Sequence, residues 1–294
     1  MNVDAATQGR TLLPALSDLP GHLVWRARAR VVAALEEVLP EAVDIHAYAV
    51  LLALAGGATR SQRALADTVA VSSTTMMRVA ASLAAQGLVE RVRNPDDRRS
   101  YALTRTAEGA AAARSWRRYA VALEDSVTAG FTLRDREDLR SLLLRVVEPD
   151  LAPDTPEPLR DSISFLVTRL QFRMHRDFQL ALAPIGIEPP HFGILTALEE
   201  TGPISQSALA RHFAVSPAHM VQLIDELEER TLVARRPLET DRRTHVIEVL
   251  PAAGRALEAA APIADLAVAE RFAPLRSAES RRLIELLRRV VTAP

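Results

Sequence analysis

Two short polar runs carry the recognisable chemistry of this chain: Ser73, Thr74, Thr75 and Arg78 in the first half, and Pro217, Ala218, His219 and Gln222 in the second, at matching offsets. Hydroxyl and guanidinium groups on successive helical turns donate to anionic oxygens and purine acceptors, and a Gln amide both donates and accepts. Downstream of each run comes an acid followed by two adjacent guanidiniums, Asp97-Arg98-Arg99 and Asp241-Arg242-Arg243. This is hydrogen-bonding and charge-pairing chemistry rather than bond-breaking chemistry. No G-x-G-x-x-G, P-loop, H-E-x-x-H or G-x-S-x-G motif occurs, and 11 glycines leave little material for a phosphate-cradling loop, so the chain reads as a non-enzyme without a cofactor.

The elements that must hold these groups are written twice, about 144 residues apart (Ser72 and Ser216). In the first copy, a helix over 18–39 carries Leu23, Val24, Val31, Leu35 and Val38 near a 3.6-residue period and stops at Pro40. A second helix starts at Asp44 and closes at Gly56-Gly57, and a short one spans Ser61 to Val69. Ser72 has the type and place of an N-cap for a helix to Gln86, and Gly87 follows where a left-handed residue costs least. Leu88 to Arg93 alternates as a half-exposed strand, Asn94-Pro95-Asp96 is turn chemistry, and Arg99 to Arg105 returns as a second strand. A helix pair followed by a β-hairpin is a winged helix-turn-helix. Helices over 106–128 and 133–147 complete the copy.

Composition then shifts: Pro149 to Pro158 holds four prolines in ten residues and reads as a semi-extended linker. Beyond it the order repeats, with helices over 159–182, 190–200, 205–213 and 216–230, a hairpin over 232–249, and helices over 252–273 and 277–291. The expected organisation is a first winged-helix unit at 12–148, a Pro-rich linker at 149–158 and a second unit at 159–294.

The 294 residues suffice for two filled cores, and 48% apolar with 25% charged residues excludes a disordered chain. All 36 basic residues are Arg, yet the net charge is −1, so any pull toward nucleic acid must be local. The absence of Cys excludes disulfides, Cys-zinc sites and thiol switches, and the seven His show no HxxxH or HxH spacing on one helix, so no metal is expected. MNVDAATQGR lacks the layout of a signal peptide and no apolar run reaches membrane-span length, so the expected location is cytoplasmic, without a membrane partner.

The helix ending LAAQGLVER (LEERTLVAR in the second copy), the wing DRRSYALTRTAEG (DRRTHVIEVLPAAG) and the flanking terminal helices resemble the multiple-antibiotic-resistance regulator (MarR) family over nearly the whole chain. That family's members are homodimers with interlocked terminal helices, so the resemblance implies two such units fused into one chain, a monomer acting as a pseudo-dimer. The fold class it implies is mainly α: two winged helix-turn-helix domains with an interlocking helical dimerisation-type region. The implied function is a sequence-specific double-stranded DNA-binding regulator, a repressor, on a pseudo-palindromic operator with unequal half-sites.

In a winged helix the second helix of the turn enters the major groove by its N-terminal residues, which here are Ser73, Thr74, Thr75 and Arg78, and Pro217, Ala218, His219 and Gln222. Arg78 suits guanine O6/N7 and Gln222 suits adenine N6/N7, while the Thr hydroxyls suit phosphate; a solvated helix face is the plain alternative. By resemblance, Asp97 and Asp241 each hold one Arg of the pairs Arg98/Arg99 and Arg242/Arg243 while the other reaches DNA; exposed ion pairing alone is the alternative. Arg91, Arg93, Arg235 and Arg236 add phosphate contacts or simply blunt a sheet edge. The second wing departs from the family pattern at Pro237-Leu238-Glu239-Thr240 and is the weaker contact.

The resemblance also implies a pocket for a small aromatic or phenolic effector. Arg26 and Arg30 align with Arg169 and Arg173, and His22, Trp25, His46, His175 and His191 lie in the helices that would line it. An Arg beside aromatic rings would pair an anionic aromatic ligand, whereas an inter-helix ion pair is the competing use of the same Arg. The rival to DNA reading is a tandem winged-helix protein–protein interaction module without base-specific DNA binding.

Overall fold

A computed structural model of the chain describes residues 12–94, 101–238 and 241–292, with the backbone alone at 15, 238 and 241–244. Each copy has the same element order. The first runs α1 (Pro20–Val38), α2 (Ile45–Ala53), β1 (Thr59–Ser61), α3 (Gln62–Val69), α4 (Ser73–Ala85), β2 (Val89–Arg93), β3 (Tyr101–Arg105), α5 (Ala107–Val127) and α6 (Leu133–Val147). After a short helix, α7 (Glu157–Arg160), the second runs α8 (Ile163–Leu182), α9 (Pro189–Thr201), β4 (Ile204–Ser205), α10 (Gln206–Phe213), α11 (Pro217–Glu229), β5 (Val233–Leu238), β6 (Asp241–Val249), α12 (Pro251–Phe272) and α13 (Ser277–Thr292). Among the described residues no helix is long and apolar enough to cross a membrane.

Local chemistry sets most of these boundaries. Asp44, Ser61, Ser72 and Thr106 each accept a backbone N–H at a helix start, and Ser205 and Ser216 do so in the second copy. Each wing is three-stranded, not a simple hairpin: β3 lies between β1 and β2, and β6 between β4 and β5, all antiparallel. The extra strands β1 and β4 are three and two residues long, too short for any alternation to show in sequence.

The turn after the fourth helix differs between the copies. Gly87 takes φ +70°, and the matching Thr231 is held at φ +56°, where a β-branched residue is strained. Thr231→Gly should therefore raise stability by about 1 kcal/mol, read as a higher unfolding midpoint; an unchanged or lower midpoint would refute the strain.

The packing units cross the repeat boundary. One comprises Met1–Arg30 with Leu170–Pro294, the other Val31–Arg169. Leu16, ahead of α1, is fully buried in a core with Leu182, Ile194, Leu209, Ile224 and Ile247 of the second copy. In the other unit, Leu159 is buried, and Phe165 packed, against a core of Tyr48, Leu51, Leu65, Met76 and Val79. Apolar faces at the starts of α1 and α8 thus complete the opposite repeat's core, which the sequence limits 12–148 and 159–294 do not express.

The segment 149–158 is also more ordered than a semi-extended spacer. Its prolines start turns: a 3₁₀ turn forms at Glu148–Asp150, α7 takes Pro158 in its first turn, Asp154 pairs with Arg60, and Thr155 is buried. Proline early in a helical turn presets φ and needs no N–H partner, so the composition that bars a long helix favours these short ones.

Candidate nucleic-acid interface and internal cavity

The exposed face of α4 is built from its cap outward. Ser72 Oγ accepts the Thr75 N–H at 3.1 Å and donates to Thr75 Oγ1 at 3.0 Å, which leaves Ser73 and Thr74 exposed at the helix start. One turn on, Arg78 lies with its side chain 64% exposed and Nη2 3.2 Å from Asp44 Oδ2. An exposed pair of this kind is worth about 0–1 kcal/mol, so a better acceptor can take the guanidinium from Asp44. Thr74, Arg78, Ala81 and Ala85 share one exposed stripe, and Arg78 is the only charged residue of α4.

The equivalent stripe on α11 has the opposite sign. Ser216 caps the helix through His219 N–H, and Pro217, Ala218, His219 and Gln222 are all exposed, but the stripe continues into Asp225 and Glu229. Glu226 and Glu228 add two more carboxylates. Arg235 on β5 is spent on them: it pairs with Asp225 at 2.5 Å and with Glu228, and donates to Gln206. Those two carboxylates, against the cost of burial, hold its guanidinium pKa above the ordinary value. At the matching place in the first copy, Arg91 and Arg93 lie 4.8 and 5.1 Å from the Tyr101 ring centroid.

The same unit as α11 holds a partly open cavity of about 130 Å³. Its walls are mainly apolar, including Met174, Phe178, Phe192, Phe213 and Leu223, with His22 and Trp25 from α1. His22 is 8% exposed, packs edge-on to Phe213, and its Nε2 has no hydrogen-bond partner. Burial first, then the charges of Arg26 and His212, lower its pKa to about 3, so the ring is neutral. Trp25 Nε1 donates to Phe213 O at 2.8 Å. His219 and Leu223 of α11 complete the wall, so the cavity borders the helix that presents the second polar stripe.

The MarR family profile matches residues 43–100 and again 187–245. The HTH-type transcriptional repressor Rv2887 of Mycobacterium tuberculosis is 31% identical over 141 residues, which is 47% of this chain and 96% of that protein. The chain belongs to the MarR family. A second relative, the HTH-type transcriptional repressor NicR of Pseudomonas putida, is 27% identical over 49% of this chain and 92% of its own length. Among solved structures, CouR from Rhodococcus jostii RHA1 bound to p-coumaroyl-CoA is 26% identical, covers 47% of this chain and 97% of its own, and superposes with a TM-score of 0.43. Whole relatives fit within half of this chain, so it holds two MarR units in tandem.

Within this MarR chain the expected site residues divide sharply. Arg98 and Arg99 lie outside the described residues; Arg242 and Arg243 fall on the backbone of β6, and their side chains lie outside them too. Of the nine residues expected around an effector, His22, Trp25 and His175 line the cavity. Arg26, 2% exposed, turns to His212 O instead, and burial lowers its pKa to about 10. Arg30 and Arg173 are half-buried outside the cavity wall, and Arg169 donates to Asp150 O and Asp67 O. His46 sits in the first turn of α2, and the buried His191 bonds Glu226 Oε2 at 2.8 Å through Nε2.

Sequence reading passed over Met77 and Val221. They stand at matching places on α4 and α11 and are 55% and 38% exposed, apolar groups of the kind that contact a thymine methyl. Their signal was available: each follows a buried Met (Met76, Met220) and so falls off the core stripe.

Proposed function

We propose that this MarR-family chain is a sequence-specific double-stranded DNA-binding repressor in which the first winged helix is the principal base reader. The carrying observation is the contrast between α4, whose exposed stripe holds Arg78 and no acid, and α11, whose stripe ends in Asp225 and Glu229. Carboxylates on a groove-facing stripe oppose phosphate and accept only from the exocyclic amino groups of cytosine and adenine in the major groove, so the two heads are suited to unequal half-sites of a pseudo-palindromic operator. Covalent joining keeps the two heads together at any dilution, because a short tether sets a local concentration in the millimolar range. An aromatic occupant of the cavity beside His219 and Leu223 would bias the second head and so release DNA.

A gel shift against an operator selected from random duplex tests this. Affinity should fall steeply with salt; Arg91→Ala should weaken binding and reduce the magnitude of the log–log salt slope by about 1, and Arg235→Ala should leave the slope unchanged because Asp225 and Glu228 already neutralise it. No shift at low salt would favour the protein–protein reading, for which the acidic α11 stripe is the surface at hand.

A further inference from the structure

The crossover between the repeats makes more bonds to the first head than a tether needs. It leaves α6 through two turns, closed by Leu151 N–H to Glu148 O at 3.2 Å and Thr155 N–H to Ala152 O at 2.9 Å, and its four prolines restrict the chain between them. Its far end is pinned to α5 and α6. Arg160 donates to both oxygens of Glu148 at 2.6 and 2.7 Å, and Arg140 on α6 holds Asp161 at 3.0 Å. Glu124 on α5 clamps the start of α8, accepting from Ser162 Oγ at 2.7 Å, Ile163 N at 3.0 Å and Ser164 N at 3.2 Å. Between these anchors the segment lies against the head. Thr155 is buried, and Arg60 on β1 donates to the Asp154 carboxylate and, at 3.4 Å, to its carbonyl. Arg169 on α8 joins the carbonyl of Asp150 in the segment to that of Asp67, 3.5 Å away, in the last turn of α3. Arg60 lies opposite Leu103 of β3, so the segment grips the wing sheet at one point and the helix leading into α4 at another.

The second copy does not repeat the grip on the wing. Counted from the caps Ser72 and Ser216, Ile204 stands at the place of Arg60 and can pair with no carboxylate. The other grip is kept, since Arg26 bonds His212 O in the last turn of α10 as Arg169 bonds Asp67 O.

We propose that residues 150–155 are a strap that presets the pose of the first head for DNA, with Arg60 and Asp154 as its positioning pair. A head already held in its bound pose has less ordering cost to meet on contact, so the strap adds affinity without touching DNA. The proposal rests on the regulator reading for its DNA arm, and a DNA-free measurement tests the strap by itself.

Asp154 gives the test its sign. Removing a carboxylate and freeing a guanidinium should, by charge alone, strengthen DNA binding, whereas loosening a strap weakens it. Asp154→Ala, at an exposed position, should weaken binding to the selected operator about fivefold, the upper size of such an ion pair, with the salt slope unchanged. On an operator whose Arg78 half-site is scrambled it should cost little. Two glycines inserted between Pro153 and Asp154 change no charge and should produce a loss of the same size, and combining them with Asp154→Ala should add little more. In the full chain without DNA, hydrogen exchange of the β1 and β3 amides should be about fivefold faster in Asp154→Ala, with β4 and β6 unchanged. Operator binding by Asp154→Ala that is unchanged or tighter, an equal loss on the scrambled operator, or unchanged exchange in β1 and β3 would each overturn the proposal. Faster exchange there in a chain that shifts no DNA would sink the regulator reading and leave the strap in place.

Discussion

Arg78→Ala should lower affinity for the selected operator ten- to hundredfold, with the loss confined to one half-site. The size follows from a bidentate guanidinium–guanine contact, worth about 1–3 kcal/mol of discrimination, less the small cost of leaving Asp44. Gln222→Ala should cost less than threefold, because its stripe already carries Asp225 and Glu229. Fluorescence anisotropy on operators with either half-site scrambled separates the two heads. In wild type, scrambling the Arg78 half-site should do most of the damage, and in Arg78→Ala the same scrambling should do little more. Equal sensitivity of both half-sites would show that the acids on α11 do not face DNA, and the proposed division between heads would fall.

The second large effect is on stability. Glu124→Ala removes the acceptor shared by Ser162 Oγ, Ile163 N and Ser164 N and leaves buried donors without partners, at a cost of about 2 kcal/mol. Thermal unfolding should show a midpoint several degrees lower. The pH dependence has a definite sign. Burial, opposed by the hydrogen bonds from Ser162, Ser164 and Ile163, raises the Glu124 pKa above its ordinary value. A carboxyl held above its unfolded pKa contributes stability that is complete below the unfolded value, near 4.3, and is lost as pH rises through the folded value. The stability difference between wild type and Glu124→Gln should therefore shift against wild type as pH climbs from 4 toward neutrality. A difference that grew in favour of wild type over that range would mean that the hydrogen bonds outweigh burial.

Much of this molecule is legible residue by residue. Ser72 and Ser216 as caps, Gly87 as a left-handed turn, the exposed start of α4 and the tandem MarR organisation all follow from local rules that need no neighbours. Arg78 and Gln222 fall on exposed stripes because the 3.6-residue period assigns Met76, Val79, Met220 and Leu223 to the core. Arg26 is buried on the same helix as Leu23 and Val24, and the period could not say which group it would meet.

Tertiary structure decided the rest. The pairing of Leu16 with the second repeat's core and of Leu159 and Phe165 with the first's depends on which apolar faces meet, and many pairings satisfy one periodicity. Arg26 bonds a backbone carbonyl instead of a ligand because the end of α10 lies beside it, and Arg235 is neutralised because α11 brings Asp225 and Glu228 to it. Charge and hydropathy are properties of single residues and repeat units, and so the chain alone determined its two heads; a cavity and a clamp are properties of distances between segments far apart in sequence, which packing alone sets.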